Sequence, residues 1–237
     1  MSGKINSLSD CLVFFDFDNT LTPFDVLDDM VLRFSMDDSW RELEQQWLEG
    51  KIGSRECLKG QLERVRISKT ALLKYLRKIR ISPVFKKIIP LLKNHQAGPV
   101  ILSDNFHFII EAILRNNGIK GVEICANDLR FNKDRLTLSF PHVNSSCWKC
   151  AHCKTKNLSN ARFNSKTKIY IGDGFSDICP AEKADIVFAK GNLLRHFRAK
   201  DLPYKRLNDL RQVYTFLKRI DVAESRTAKK LALPLSF

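Results

Sequence analysis

The chain has 237 residues, 40 Lys and Arg against 26 Asp and Glu, a formal net charge of +14, and 44% apolar residues. That allows one large α/β domain, or a core with a small accessory domain, and the apolar content with no low-complexity tract argues against disorder. The longest apolar runs are too short to cross a bilayer. Seven cysteines behind a polar first ten residues, with no export pattern, indicate reduced thiols and a cytoplasmic protein without membrane association.

A positive excess favours anionic partners: phosphorylated metabolites, nucleic acid or an acidic membrane surface. Much of it is interspersed between Lys51 and Lys87, the pattern of a solvated helical face. A nucleic-acid patch would interleave aromatics, and only Tyr75 sits among these basic residues, which speaks against nucleic acid.

In chain order, residues 11–17 read as a short buried strand, and it runs into Phe15-Asp16-Phe17-Asp18-Asn19-Thr20. If the pleat persists, Asp16 and Asp18 point the same way, and a divalent cation with a bound phosphate would resolve their repulsion. Residues 23–82 then carry apolar side chains at helical spacing (Val26 and Met30; Trp40, Leu43 and Trp47; Leu58, Leu62 and Val65; Leu72, Leu76 and Ile79) with no strand pattern. This predicts an all-helical insertion after the first strand. Asp25, Asp28 and Asp29 open it, where the helix dipole favours acids.

A helix over 84–94, a strand over 99–102 and a helix over 106–117 stopped by Gly118 follow. Ser103, Asp104 and Asn105 lie between the last two, a hydroxyl and backbone N–H groups at a helix start suited to cradle phosphate. Residues 129–140 alternate around Asn132-Lys133-Asp134, a hairpin. Cys147, Cys150 and Cys153 with His142 have ligand types and spacing fit for a structural zinc; free buried thiols are the alternative. Lys154 supplies a point charge for phosphate.

Strands at 168–171 and 184–189 flank Gly172-Asp173-Gly174-Phe175-Ser176-Asp177, two more acids in a glycine-permissive turn. Residues 221–237 read as a helix end and a Leu-Pro-Leu tail. Alternating strands and helices predict a doubly wound α/β core over residues 1–21 and 85–220, a helical cap over 22–84 and a tail over 221–237. Polar clusters at three strand ends predict one shared site.

These four elements, in this order, closely resemble the haloacid-dehalogenase-like phosphatases over nearly the whole chain. The resemblance implies Asp16 as nucleophile and Mg²⁺ ligand, and Asp18 as general acid and base lending its main-chain carbonyl to the metal. It implies Ser103 for the phosphoryl oxygen, Lys154 for charge, Asp173 as a metal ligand and Asp177 in support, with Asp104, Asn105 and Gly174 as further substrate contacts. The insertion resembles the cap of the phosphoserine-phosphatase branch, in which Asp25 would face the substrate.

A closer likeness is to the phosphatases of 2-hydroxy-3-keto-5-methylthiopentenyl-1-phosphate and to the phosphoethanolamine/phosphocholine phosphatases. Trp47-Leu48-Glu49-Gly50-Lys51-Ile52, Phe140-Pro141-His142, Cys153-Lys154, and Gly172-Asp173-Gly174 with Cys179-Pro180 carry it. Ser103-Asp104-Asn105 departs from the Ser-Gly-Gly common in the first group, so the substrate stays open. The expectation is hydrolysis of a small phosphorylated metabolite. A phosphomutase with the same phospho-aspartate chemistry and a non-catalytic anion- or nucleic-acid-binding protein are the rivals. Oligomeric state is not legible.

Overall fold

The computed structural model describes residue 5, residues 7–160 and residues 166–231, the last seven as backbone. The Leu-Pro-Leu stretch lies outside the described residues. Seven strands form one sheet: β1 (Cys11–Phe15), β2 (Pro99–Phe106), β3 (Glu123–Asn132), β4 (Arg135–Ser139), β5 (Thr167–Gly172), β6 (Ile186–Ala189) and β7 (Lys205–Arg206), in the order β4-β3-β2-β1-β5-β6-β7. All neighbours are parallel except β3 and β4, the antiparallel hairpin, whose turn places Lys133 at φ +56°. This is a doubly wound α/β fold, as the sequence predicts.

Side chains alternate across a strand, so central β1 feeds two apolar layers. Cys11, Val13 and Phe15 pack with Phe85, Ile88 and Leu217 on one face. Leu12 and Phe14 pack with Leu158, Leu193 and Phe197 on the other. Both faces are covered by helices, which is why β1 reads as an unbroken apolar run.

Four helices follow β1: α1 (Val26–Phe34), α2 (Trp40–Leu48), α3 (Ser54–Leu62) and α4 (Lys69–Leu76). Asp25 caps α1 by accepting from Asp28 N at 3.0 Å, and Ser68 caps α4 through Ala71 N. The chain returns at α5 (Pro83–Lys93), with proline in its first turn where no N–H is needed. Then come α6 (His107–Asn116), α7 (Lys154–Leu158), α8 (Ile178–Ala181), α9 (Gly191–Ala199) and α10 (Leu210–Leu231). Residues 221–231 thus continue a long helix, which packs on α5.

Several boundaries differ from the sequence reading, among them β3, which starts at Glu123 rather than 129, and two lie at the site. β1 stops at Phe15, because the Phe17 carbonyl turns to accept from the amides of Thr20, Leu21 and Thr22. β2 runs on through Phe106, so residues 103–105 end a strand rather than open a helix. β6 starts at Ile186, since the Asp185 amide is spent on the Lys168 carbonyl.

The return from the helical stretch is held by buried Asn117. It accepts from Ile81 N at 3.2 Å and donates to the Ile79 and Ile113 carbonyls, each at 2.9 Å. Asn117→Leu strands two backbone groups, Ile81 N and the Ile79 carbonyl, since the Ile113 carbonyl keeps the backbone amide of residue 117, and should cost about 2–3 kcal/mol in urea unfolding. An unchanged midpoint would refute this account.

Candidate active site

The carboxyl ends of β1, β2 and β5 meet where the strand order reverses, the crevice in which open parallel sheets bind ligands. Asp16 leaves β1 anchored by its amide on the Ile171 carbonyl at 2.8 Å. Its Oδ1 accepts from Lys154 Nζ at 2.6 Å, and the same ammonium donates to Asp177 Oδ1 at 2.7 Å. All three side chains are buried. Burial alone would lower the Lys154 pKa, but the charges of Asp16 and Asp177 outweigh it and keep the ammonium protonated.

Asp177 is fully occupied. Its Oδ1 also accepts from the buried Tyr170 hydroxyl at 2.7 Å, and its Oδ2 takes the amides of Asp173 and Gly174 at 2.9 Å each. It shapes the loop rather than reaching outward. Gly172 makes room for it, since a Cβ there would lie 2.5 Å from Asp177 Oδ2. Asp173 is oriented by the Thr20 hydroxyl at 3.0 Å. Burial and then the charge of Asp177 push its carboxyl up to about 6.

Ligand oxygens of Asp16, Asp173 and Asp177 lie within 4.8 Å of one another. Lys154 bonds two of these carboxylates and leaves Asp173 without a bonded cation, and burial followed by the Asp177 charge pushes the Asp16 carboxyl well up. Hard oxygen donors with surplus negative charge are the set a divalent cation such as Mg²⁺ takes, so Asp16 and Asp173 fit it.

Asp18 does not join this group. Because β1 ends before it, its Oδ1 accepts from Val26 N at 2.8 Å and its Oδ2 from Asn105 Nδ2 at 2.9 Å. The expected parallel carboxylates therefore diverge. Burial, and then Asp25 rather than Asp16, pushes the Asp18 carboxyl well above its usual range. Ser103 is buried, and its Oγ accepts from Asn105 N at 3.1 Å. With the Phe106 amide taken by Asn105 Oδ1, these two N–H groups are not free for a phosphate; the Ser103 hydroxyl and the Asn105 side chain face the cleft instead. Asp104 Oδ1 is buried without a partner, and burial lifts its carboxyl to about 6.

The cleft is about 280 Å³. Its floor carries Asp16, Asp18, Ser103, Asp104, Asn105, Asp173 and Gly174, with Lys154 and Asp177 buried behind it. Its roof comes from α1, α2 and α3 and includes Asp25, Asp28, Glu44, Trp47 and Gln61. Burial and then Asp25 and Glu44 bring the Asp28 carboxyl to about 7. No lysine, arginine or histidine lines the cleft among the described residues. Sequence reasoning missed Asp28, Glu44, Gln61 and Tyr170. Helix acids look like solvated surface, and a strand tyrosine looks like core until its buried hydroxyl needs an acceptor.

The structure lends no support to the expected zinc site. His142, Cys147, Cys150 and Cys153 form no group of three converging ligand atoms; among the described residues only the aspartate group does. The Cys153 amide is tied to the His142 carbonyl at 2.8 Å, and the His142 ring lies over His152 at 4.6 Å between centroids. Burial and then Cys147 push the Cys150 thiol up to about 12. These are free thiols.

A family model described as Putative Phosphatase matches residues 11–206. The chain is similar to Pdp3-interacting factor 1 of Schizosaccharomyces pombe, 26% identical over 220 residues, covering 88% of this chain and 95% of that one. A 2-hydroxy-3-keto-5-methylthiopentenyl-1-phosphate phosphatase of Microcystis aeruginosa is 26% identical over 196 residues, covering 81% and 90%. The solved structure of a substrate-bound phosphoserine phosphatase complex shares the fold, with TM-score 0.67 and 20% identity, covering 86% and 97%. No helix among the described residues is long and apolar enough to cross a membrane.

The raised carboxyls set a pH dependence. Asp104 and Asp173 titrate near 6 when folded, above the ordinary value of 3.8. The folded state thus keeps protons that the unfolded chain has released, and stability falls as pH rises through that window. In EDTA, the melting temperature should drop between pH 5 and pH 7.5, and Mg²⁺ should restore more of it at the higher pH. A melting temperature in EDTA that climbs over this range would contradict the assignment.

Proposed function

The chain belongs to the Putative Phosphatase family, among the haloacid-dehalogenase-like phosphatases of the phosphoserine-phosphatase type, and we propose that it is a Mg²⁺-dependent hydrolase of a small phosphomonoester that works through an aspartyl-phosphate on Asp16. The observation that carries the reading is the ammonium of Lys154 shared between Asp16 and Asp177 beside Asp173.

Asp16 Oδ attacks phosphorus, an acyl-phosphate bond forms, and the bond to the leaving oxygen breaks. Two anions must approach for this, and Lys154 neutralises part of the repulsion in a water-poor site. When bound by Asp16 and Asp173, Mg²⁺ would supply the remaining positive charge. The leaving alkoxide takes its proton from Asp18, whose raised pKa keeps the carboxyl protonated until then. As a carboxylate, Asp18 next deprotonates the water that attacks the acyl phosphate, which releases phosphate and restores Asp16. Asn105 and Val26 N hold that carboxyl in place throughout. The Ser103 hydroxyl donates to a phosphoryl oxygen.

The roof bears on the alcohol portion. Among the described residues, Asp25, Asp28 and Glu44 form no ion pair and the amide of Gln61, a residue only 5% exposed, has no partner. A positively charged alcohol, such as an aminoalcohol, would satisfy these groups, with Trp47 offering a ring face to a cation. A carboxylate on the alcohol would meet carboxyl groups and no basic side chain among the described residues. This favours phosphoethanolamine or phosphocholine over phosphoserine.

A panel of phosphomonoesters assayed for phosphate release with Mg²⁺ tests both levels. Phosphoethanolamine should exceed phosphoserine, and Glu44→Gln should lower kcat/KM for the amine roughly tenfold, the effect of about 1.4 kcal/mol. Preference for a carboxylated ester would overturn the substrate class alone.

Asp16→Asn should abolish turnover without unfolding the chain. Asp18→Asn should slow both half-reactions by about 10²-fold or more, with a phosphate mass gain on the Asp16 peptide. Full activity of Asp16→Asn would end the reading.

A further inference from the structure

Lys154 has to arrive between two carboxylates with a precision that its surroundings do not obviously provide. It is the first residue of the five-residue α7, and residues 141–153 before it hold no helix or strand, only a bridge between Asn144 and Cys147. Local bonds steer the last steps, from Cys153 N to the His142 carbonyl at 2.8 Å and from Lys154 N to the His152 carbonyl at 2.9 Å. They fix the end of the segment on itself; downstream, α7 packs on the sheet through Leu158, while upstream residues 148–151 need a second tie.

That tie comes from the helical insertion. The α3 N-terminus grips the segment: Ser54 N donates to the Lys149 carbonyl at 2.8 Å, Ser54 Oγ donates to the same carbonyl at 2.9 Å, and Ala151 N donates to Ser54 Oγ at 2.9 Å. One serine thus spans residues 149–151, and Ala151, fully buried, lies three residues ahead of Lys154. Gly53 lets the two backbones close. A Cβ there would lie 2.4 Å from the Trp148 carbonyl oxygen and 3.3 Å from Lys149 Cα, backbone atoms that cannot swing aside as a side chain would. The insertion also meets the β3–β4 turn, through Ile67 N on the Asp134 carbonyl at 2.9 Å, but that turn carries no residue of the active site.

We propose that Ser54, with Gly53 before it, is a positioning residue for Lys154: seating the helical insertion on residues 148–151 sets the ammonium against Asp16. The proposal rests on the reading of Lys154 as the cation that eases attack by Asp16. Ser54 borders the cleft whereas Gly53 does not, so a shared effect of changing either residue belongs to the clasp and not to substrate contact.

The test uses the full chain with Mg²⁺ and p-nitrophenyl phosphate, whose leaving group needs little help from a proton donor and so reports on the attack. Ser54→Ala removes two hydrogen bonds and should lower kcat about tenfold with KM held within about twofold. Ser54→Thr keeps a hydroxyl and should recover most of the rate, while Gly53→Ala should lower kcat as Ser54→Ala does. Wild-type kcat in Ser54→Ala, a loss confined to KM, or no recovery in Ser54→Thr would overturn the proposal. An inactive wild-type chain would instead strike the hydrolase reading.

Hydrogen exchange on the wild-type chain decides the coupling even if Ser54→Ala does not fold. The amides of Ser54, Ala151, Cys153 and Lys154 should open as one unit. Release of Ser54 and Ala151 while Cys153 and Lys154 stay protected would overturn the clasp.

Discussion

One buried ammonium among three carboxylates is the constraint on which the rest depends. Lys154 touches Asp16 and Asp177 directly, and Asp173 completes the acidic group. A buried pair is stable only when its remaining lone pairs are satisfied. Asp177 meets that condition through Tyr170 and two backbone amides, and Asp173 in part through Thr20. Asp16 accepts a single side-chain bond, from Lys154, which on the proposed reading leaves its other oxygen for a cation or a phosphoryl group. The order of β1, β2 and β5 in the sheet is what lets residues 16, 103, 154 and 173 meet at all.

Much of this was legible in the sequence because the core strands are buried on both faces and read as apolar runs ending in acids. Asp16, Asp173, Asp177 and Lys154 come together as that pattern implies. The relation of Asp16 to Asp18 was not legible, since it turns on where β1 ends, and that is decided by three amides converging on the Phe17 carbonyl. Asn105 looked like part of an anion cradle, yet its side chain also steadies Asp18. β7 left no trace because two exposed basic residues have no period to read. The cysteine cluster misled for a related reason: spacing along a chain says little about convergence when the intervening backbone is irregular.

The irregular stretch before Lys154 also shows how two parts of the fold share one task. The sheet supplies Asp16 and Asp173 on strand ends, where packing in both layers keeps them in place. Lys154 opens α7, which packs on the sheet through Leu158, and the irregular loop before it is bonded to itself and to α3. Precision at the site is therefore built partly by a rigid scaffold and partly by an inserted element that also roofs the cleft.

Among the described residues no basic side chain lines the cleft of this chain of net charge +14, which makes two electrostatic zones with opposite preferences. At distances near a Debye length, about 10 Å at 0.1 M salt, a visiting molecule experiences the cationic exterior, which draws in phosphoesters generally. On the proposed reading, the aspartates and glutamate inside the opening would disfavour a purely anionic visitor and orient a zwitterion with its phosphate toward the sheet. The protein would then gather broadly and admit narrowly, with the second choice made by carboxyl groups that never touch phosphorus.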